Sequence, residues 1–376
     1  MRADHYDADL GETDSEEPFD FPPPERRIAT QPYDLSVQTL LEQWDGKILE
    51  IPDMQRDYVW DNGRASRLVE SLILNIPVPP IFFAETPQAT FEVIDGQQRV
   101  RSLVRYLKNE FRLSGLGVLS EYKGKRFHQL PEREQRHLKT RSLRAIVISA
   151  ESHPNMKFEV FERLNTGGIT LNAQELRNSL YRGSLNKLLK VLAKDSHFRH
   201  CIGTKSPRAR MVDEELVLRF FGLSHNLVGY RPPLKRFLNE YMDTNRLAGD
   251  RWLSERADLF QSTMAKVRPV LGSQAFRLID SDGNPLVGHD GKPLPRGVNR
   301  ALFDAQALAF SWSTPPKNLS KPKTVRAISE TLASATFQDA VTRATGDRSR
   351  ILLRIKLMTE ALEGVGYRTD VPFVLE

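Results

Sequence analysis

The sequence predicts an α+β fold followed by a wholly helical region, and three observations carry that reading. Short β-branched and aromatic runs alternate with helical periodicities, but only before about residue 150. From Leu185 onward almost every apolar pattern has helical spacing. The first thirty residues, acidic and then Pro-rich through Phe21-Pro22-Pro23-Pro24, offer little to bury and read as a disordered tail. With 376 residues, two folded domains are the expectation.

The elements follow in order. The fold is expected to begin near Tyr33. Ser36 can cap a helix carrying Val37, Leu40, Leu41 and Trp44, with Gly46 stopping it. Ile48–Ile51 reads as a strand ended by Pro52. Asp53–Trp60 mixes polar and aromatic residues without periodicity and suits a loop whose aromatics pack inward while Gln55 and Arg56 face a cleft. Ala65, Leu68, Val69, Leu72 and Ile73 mark a helix over 62–75. Ile81–Ala84 and Phe91–Ile94 are strands joined as a hairpin, and a helix then buries Val100, Leu103, Val104 and Leu107.

A basic, loop-rich insertion occupies Leu113–Arg141. Its Tyr122-Lys123-Gly124-Lys125-Arg126-Phe127 run suits either a solvated hairpin or a nucleic-acid grip, and the hairpin is the better-founded reading. Leu143–Ala150 has the pattern of a central strand. A helix over 155–164 ends at Asn165-Thr166-Gly167-Gly168, and Asn172 with Glu175 spells a capping box for the next helix. Further helices are expected near 185–194, 211–223, 232–245, 250–270, 297–312, 323–334 and 347–364. Asp280–Pro295, rich in glycine and proline, reads as a loop or hairpin.

Charge and cysteine content narrow the function. Residues 1–20 hold eight acids and one arginine, net −7, so the formal +6 of the chain conceals +13 elsewhere. A basic body suits a polyanionic partner. The single cysteine, Cys201, rules out an intrachain disulfide and a Cys-rich zinc site. With no apolar run of transmembrane length and no apolar leader, the expectation is a cytoplasmic protein without a membrane partner.

The stretch Phe91-Glu92-Val93-Ile94-Asp95-Gly96-Gln97-Gln98-Arg99-Val100 organises the rest. A strand that turns on Gly96 into a helix start offers unpaired N–H groups at the positive end of a helix dipole. Arg99 can add a two-pronged phosphate contact, and Asp95 can hold a metal ion or a water. An ordinary βα turn with a structural ion pair is the competing explanation.

Three motifs give the chain a resemblance. Ile51-Pro52-Asp53-Met54-Gln55-Arg56-Asp57-Tyr58-Val59-Trp60, then Val93–Arg99, then Phe161-Glu162-Arg163-Leu164-Asn165-Thr166-Gly167-Gly168 with Leu171 stand in order. In these the sequence resembles the N-terminal domain of GmrSD-type modification-dependent restriction proteins, within the ParB/sulfiredoxin-like group. The resemblance implies a ParB-like core with a small mixed sheet over 31–200, after the 1–30 tail and before a helical domain over 201–376. It implies nucleoside triphosphate (GTP, ATP or CTP) binding and hydrolysis with Mg²⁺ in bacterial defence against phage or foreign DNA. Nucleotide state would then switch action on DNA, directly or through a separate nuclease subunit.

On that resemblance Gln55, Arg56, Gly96, Gln97, Asn165 and Thr166 bind nucleotide. Asp95, Gln98 and Arg99 are catalytic, with Asp95 also the metal ligand. Two rivals remain: a metal-dependent nuclease using Asp53, Asp57 and Asp95, and a non-catalytic DNA-binding adaptor. Many relatives append an HNH nuclease domain, but His197, His200, His225 and His289 sit in no ββα-metal pattern.

Overall fold

The computed structural model describes residues 27–51, 58–86, 88–164, 171–280, 282–288 and 291–372. The chain divides into two compact units, one over 21–171 and one containing 172–376. The helices between 172 and 201, grouped by the sequence reading with the first domain, lie within the second unit.

The first unit is α+β, built on a five-stranded mixed sheet in the order β1-β5-β3-β4-β2. Its strands are β1 (Thr30–Ser36), β2 (Leu49–Glu50), β3 (Ile81–Glu85), β4 (Phe91–Asp95) and β5 (Ser142–Ile148). β3 and β4 form the expected hairpin, with a register shift at Phe82/Phe83. β5 runs parallel to β3 and antiparallel to β1, and β2 runs parallel to β4.

Strand β1 has no counterpart in the sequence reading, which begins the fold at Tyr33. Pro32 lowers strand propensity, yet β1 is an edge strand, where proline is tolerated. Asp34 on β1 accepts two hydrogen bonds from Arg144 on β5, at 3.0 and 2.9 Å. The chain is tied in from Arg27, whose carbonyl accepts the His153 amide at 3.2 Å.

Five α-helices belong to this unit among the described residues. They are α1 (Val37–Asp45), α2 (Asn62–Ile73), α3 (Gln97–Leu107), α4 (Glu132–Thr140) and α5 (Pro154–Leu164). Ser36 caps α1 as its sequence predicts, accepting the Thr39 amide at 2.9 Å. The buried faces of α2 and α3 carry the expected apolar residues and share one core with Leu40, Phe83, Val93 and Leu143. Helix α4 is an addition to the predicted insertion; its periodicity is faint because Leu138 is its one buried residue.

Among the described residues the second unit is largely helical, with a two-stranded pair, β6 (Ser313–Thr314) with β7 (Arg368–Thr369). Its helices run from α6 (Ala173–Leu180), α7 (Ser184–Leu192) and α8 (Ser196–Cys201) through α9 (Val212–Asn226), α10 (Leu234–Asn245) and α11 (Asp250–Leu271). They end with α12 (Arg300–Ser311), α13 (Lys321–Ala333), α14 (Ala335–Thr342) and α15 (Arg348–Glu363). The Asn172–Glu175 capping box is present, both bonds at 2.8 Å. Helix α12 is the axis of this unit, buried from Ala301 to Phe310 and packed on α9, α11 and α15. Between α11 and α12 lie the isolated antiparallel bridges Ile279–Pro285 and Val287–Pro293.

Candidate functional site

The predicted junction has the geometry its sequence requires. Strand β4 ends at Asp95, and Gly96 adopts φ 93°, ψ 10°, in the left-handed region that glycine occupies without strain. A Cβ there would sit 3.0 Å from Ile81 Cγ2 and 3.2 Å from Arg99 Nη2. Helix α3 begins at Gln97 with Gly96 as its N-cap and no side-chain cap bond, and its first turn lies at the positive end of the helix dipole.

Arg99 turns back onto the protein. Its Nη2 bonds Asp95 Oδ2 at 2.9 Å, and Nη1 donates to the carbonyls of Pro79 and Pro80, the latter at 3.2 Å. Its side chain is 13% exposed, whereas that of Asp95 is 42% exposed, so the carboxylate is the accessible member of the pair. Burial pulls the Arg99 guanidinium below its usual range, and Asp95 opposes that shift. The arginine thus orients the carboxylate and locks the approach to β3.

Gln98 holds a second segment. Its Oε1 accepts the backbone N–H groups of Val59 at 3.0 Å and Trp60 at 3.2 Å. One turn on, the Ser102 hydroxyl donates to the Gln98 carbonyl at 2.6 Å and meets the Tyr58 hydroxyl at 2.9 Å. Arg105 then lies over the Tyr58 ring at 4.4 Å. Gln98, Ser102 and Arg105, at i, i+4 and i+7, form one helix face that fastens Tyr58–Trp60 to α3.

Topology explains why these segments meet. Because β2 and β4 are adjacent and parallel, the chain leaves both at the same end of the sheet. One exit leads toward Tyr58–Trp60 and the other into Gly96 and α3. Crevices outside the carboxyl ends of strands are common ligand sites in open sheets. Gln55 and Arg56, like Asn165 and Thr166, lie outside the described residues, as do Asp53 and Asp57. The structure therefore brings together Asp95, Gly96, Gln97, Gln98 and Arg99.

No group of three or more potential ligands among His, Cys, Asp and Glu occurs among the described residues. A Mg²⁺ ion at Asp95 would take one carboxylate and complete its shell from phosphate oxygens and water, which suits that ion. The lone thiol is inert: burial pushes Cys201 up to about 12. His225 packs against the rings of Tyr241 and Trp252, each at 5.9 Å, and burial lowers its basicity.

Sequence reasoning missed the buried charges of the helical unit. Asp304 on α12 accepts Arg219 at 3.1 and 2.7 Å and Arg354 at 2.8 Å, and its side chain is wholly buried. Glu215 on α9 pairs with Arg177 at 3.0 Å and Arg300 at 3.4 Å. The available signal was Glu215 and Arg219, one turn apart in the otherwise apolar run Glu215–Leu223, and Arg300 with Asp304 likewise spaced. No described helix is long and apolar enough to cross a membrane.

No curated protein matches the chain. Residues 37–182 match the family described as GmrSD restriction endonuclease, N-terminal domain. That span contains β2 to β5, α1 to α6 and all three motifs. Over residues 37–182 the chain is thus similar to the N-terminal domain of GmrSD restriction endonucleases.

Proposed function

We propose that the chain binds and hydrolyses a nucleoside triphosphate within a bacterial DNA-defence system, and that nucleotide state switches action on DNA. That action is its own or belongs to a separate nuclease subunit. The observation that carries this reading is the β4–Gly96–α3 junction, where an uncapped helix start lies beside a half-exposed carboxylate that Arg99 holds in place. The helix dipole favours phosphate charge there. Gln97 stands on the first turn, and Gly96 makes the left-handed turn that leads from the strand into the helix.

In this reading Asp95 would orient the attacking water and would hold Mg²⁺, which would supply charge neutralisation on the phosphates. Arg99 fixes the carboxylate through its short contact, and Gln98 fixes Tyr58–Trp60 beside the helix start. Gln55, Arg56, Asn165 and Thr166 complete the nucleotide site on the strength of the family motifs. Positioning and preorganised charge are the main catalytic resources for phosphoryl transfer.

The test is to incubate the full chain with each of the four NTPs and Mg²⁺, with and without DNA, while measuring phosphate release and DNA integrity together. Release from at least one triphosphate is expected. DNA cleavage without nucleotide turnover would instead select a metal-dependent nuclease. Nucleotide binding without turnover or cleavage would select the adaptor.

A further inference from the structure

The stretch 105–141 holds ten lysines and arginines against four glutamates, a net of +6 in 37 residues. Two of those glutamates, Glu110 and Glu132, are matched by Arg105 and Arg136. Such a run is ordinarily a solvated face. Here it is built onto the core.

Glu70 on α2 is 7% exposed and accepts the amides of Gly117, Val118 and Leu119 at 3.0, 2.7 and 2.8 Å. Ser66 Oγ accepts the Ser114 amide at 2.9 Å. Beyond these anchors the chain folds into a closed turn. Leu113 donates to the Lys125 carbonyl at 3.0 Å, and Gly124 donates to the Leu113 carbonyl at 2.8 Å. Arg112 is lashed across the tip by a 3.0 Å bond from Nη1 to the Gly124 carbonyl.

This turn concentrates Arg112, Lys123, Lys125 and Arg126, none of which pairs with a carboxylate among the described residues. Arg126 donates to the Asn109 carbonyl, which sets its direction. The Lys125 ammonium lies over the Tyr122 ring at 5.3 Å, and Lys139 of α4 over the Phe127 ring at 5.7 Å. The aromatic residues therefore serve as platforms beneath the cations. Phe127 is buried, 6.0 Å from Tyr106, and Tyr122 is partly buried, packed on the core with the Lys125 ammonium over its ring.

We propose that this lysine- and arginine-rich turn, with Lys139 of α4, is a docking surface for the phosphate backbone of duplex DNA. The proposal rests on the reading that DNA is a partner of this chain. Held cations favour a polyanion with regularly placed charges, because ordering them has already been paid for by the fold. The inward-facing rings select the duplex, since single strands are gripped chiefly by exposed aromatic stacking. The surface reads charge and not sequence.

The experiment measures binding of the full chain to a short duplex and to a single strand across a salt titration. The wild type is compared with Lys123→Gln/Lys125→Gln, with Lys123→Arg/Lys125→Arg, and with Lys321→Gln/Lys323→Gln as an equal charge loss on the helical unit. Each phosphate contact contributes about −0.9 to the log–log salt slope, so the first variant should lose about two units of slope and roughly tenfold to a hundredfold in affinity at ~0.1 M salt. The arginine variant and the helical-unit variant should keep most of both, and the duplex should bind more tightly than the single strand. Equal weakening by both glutamine pairs, or unchanged binding by the first, overturns this surface while leaving DNA as a partner. Absence of DNA binding by the wild type overturns both.

Discussion

Replacing Gly96 by alanine tests whether the β4–α3 junction is as tightly determined as its geometry implies. Two costs add. At φ 93° an L-residue incurs about 1–2 kcal/mol of backbone strain. The new Cβ also lies 3.0 Å from Ile81 Cγ2, and Ile81 is 1% exposed with no room to move. On its other side stands Arg99 Nη2 at 3.2 Å, itself held by Asp95 and the Pro79 and Pro80 carbonyls. Overpacking of this kind costs about 1–3 kcal/mol. The expected total is thus about 2–5 kcal/mol.

Gly124 supplies the control, because it too has positive φ, at 80°, but a Cβ there meets nothing within 4 Å. Gly124→Ala should carry the backbone cost alone. The assay is urea-dependent hydrogen exchange of the α3 amides for Gly96→Ala and of the Leu113–Arg126 amides for Gly124→Ala. Gly96→Ala should be the more destabilising by about 1–3 kcal/mol, the packing term. Equal losses would refute the claim that Ile81 and Arg99 close around this glycine.

Three further outcomes follow from other contacts. Asp304→Asn removes a carboxylate shared by two buried guanidiniums, and should cost the helical unit about 3–5 kcal/mol in urea unfolding; a loss below about 1 kcal/mol would show that the arginines relax without it. Glu70 is held below its usual range because three backbone N–H bonds and Arg67 outweigh the upward push of burial. Its contribution is therefore present above the unfolded value near 4.5 and lost as pH falls through the lower folded value, so Gly117–Leu119 exchange should accelerate with acid there, and Glu70→Gln should abolish that dependence. Gln98→Leu should expose the Val59 and Trp60 amides to exchange while α3 keeps its protection; protection unchanged at both amides would remove Gln98 as their anchor.

Much of the first unit is legible because its signals are local. Ser36 with Gly46, the alternating hairpin strands and the glycine at the β4–α3 turn each specify their element through nearest neighbours. Strand β1 is not legible, because its pairing with β5 spans more than a hundred residues and Pro32 masks it. Arg99 shows the same limit within the site. Its residue type suits a phosphate, but only the fold places the Pro79 and Pro80 carbonyls within its reach. Gln98 likewise spends its side-chain oxygen on amides thirty-eight and thirty-nine residues away. Asp95 and the start of α3 were readable together because strand, turn and helix are contiguous. The charge clusters around Glu215 and Asp304 were hidden because sequence does not reveal which exposed-looking arginines a helical bundle encloses.

The most direct test of the central claim, that Asp95 and the α3 start form a triphosphate-hydrolysing site, is a comparison of the wild type with Asp95→Asn. Phosphate release and equilibrium nucleotide binding would be measured on the same preparations in Mg²⁺. The account predicts turnover by the wild type and a fall of about a hundredfold or more in the variant, with the fold intact by hydrogen exchange of α3. Turnover by Asp95→Asn at the wild-type rate, or no binding of any triphosphate by the wild type, would contradict it.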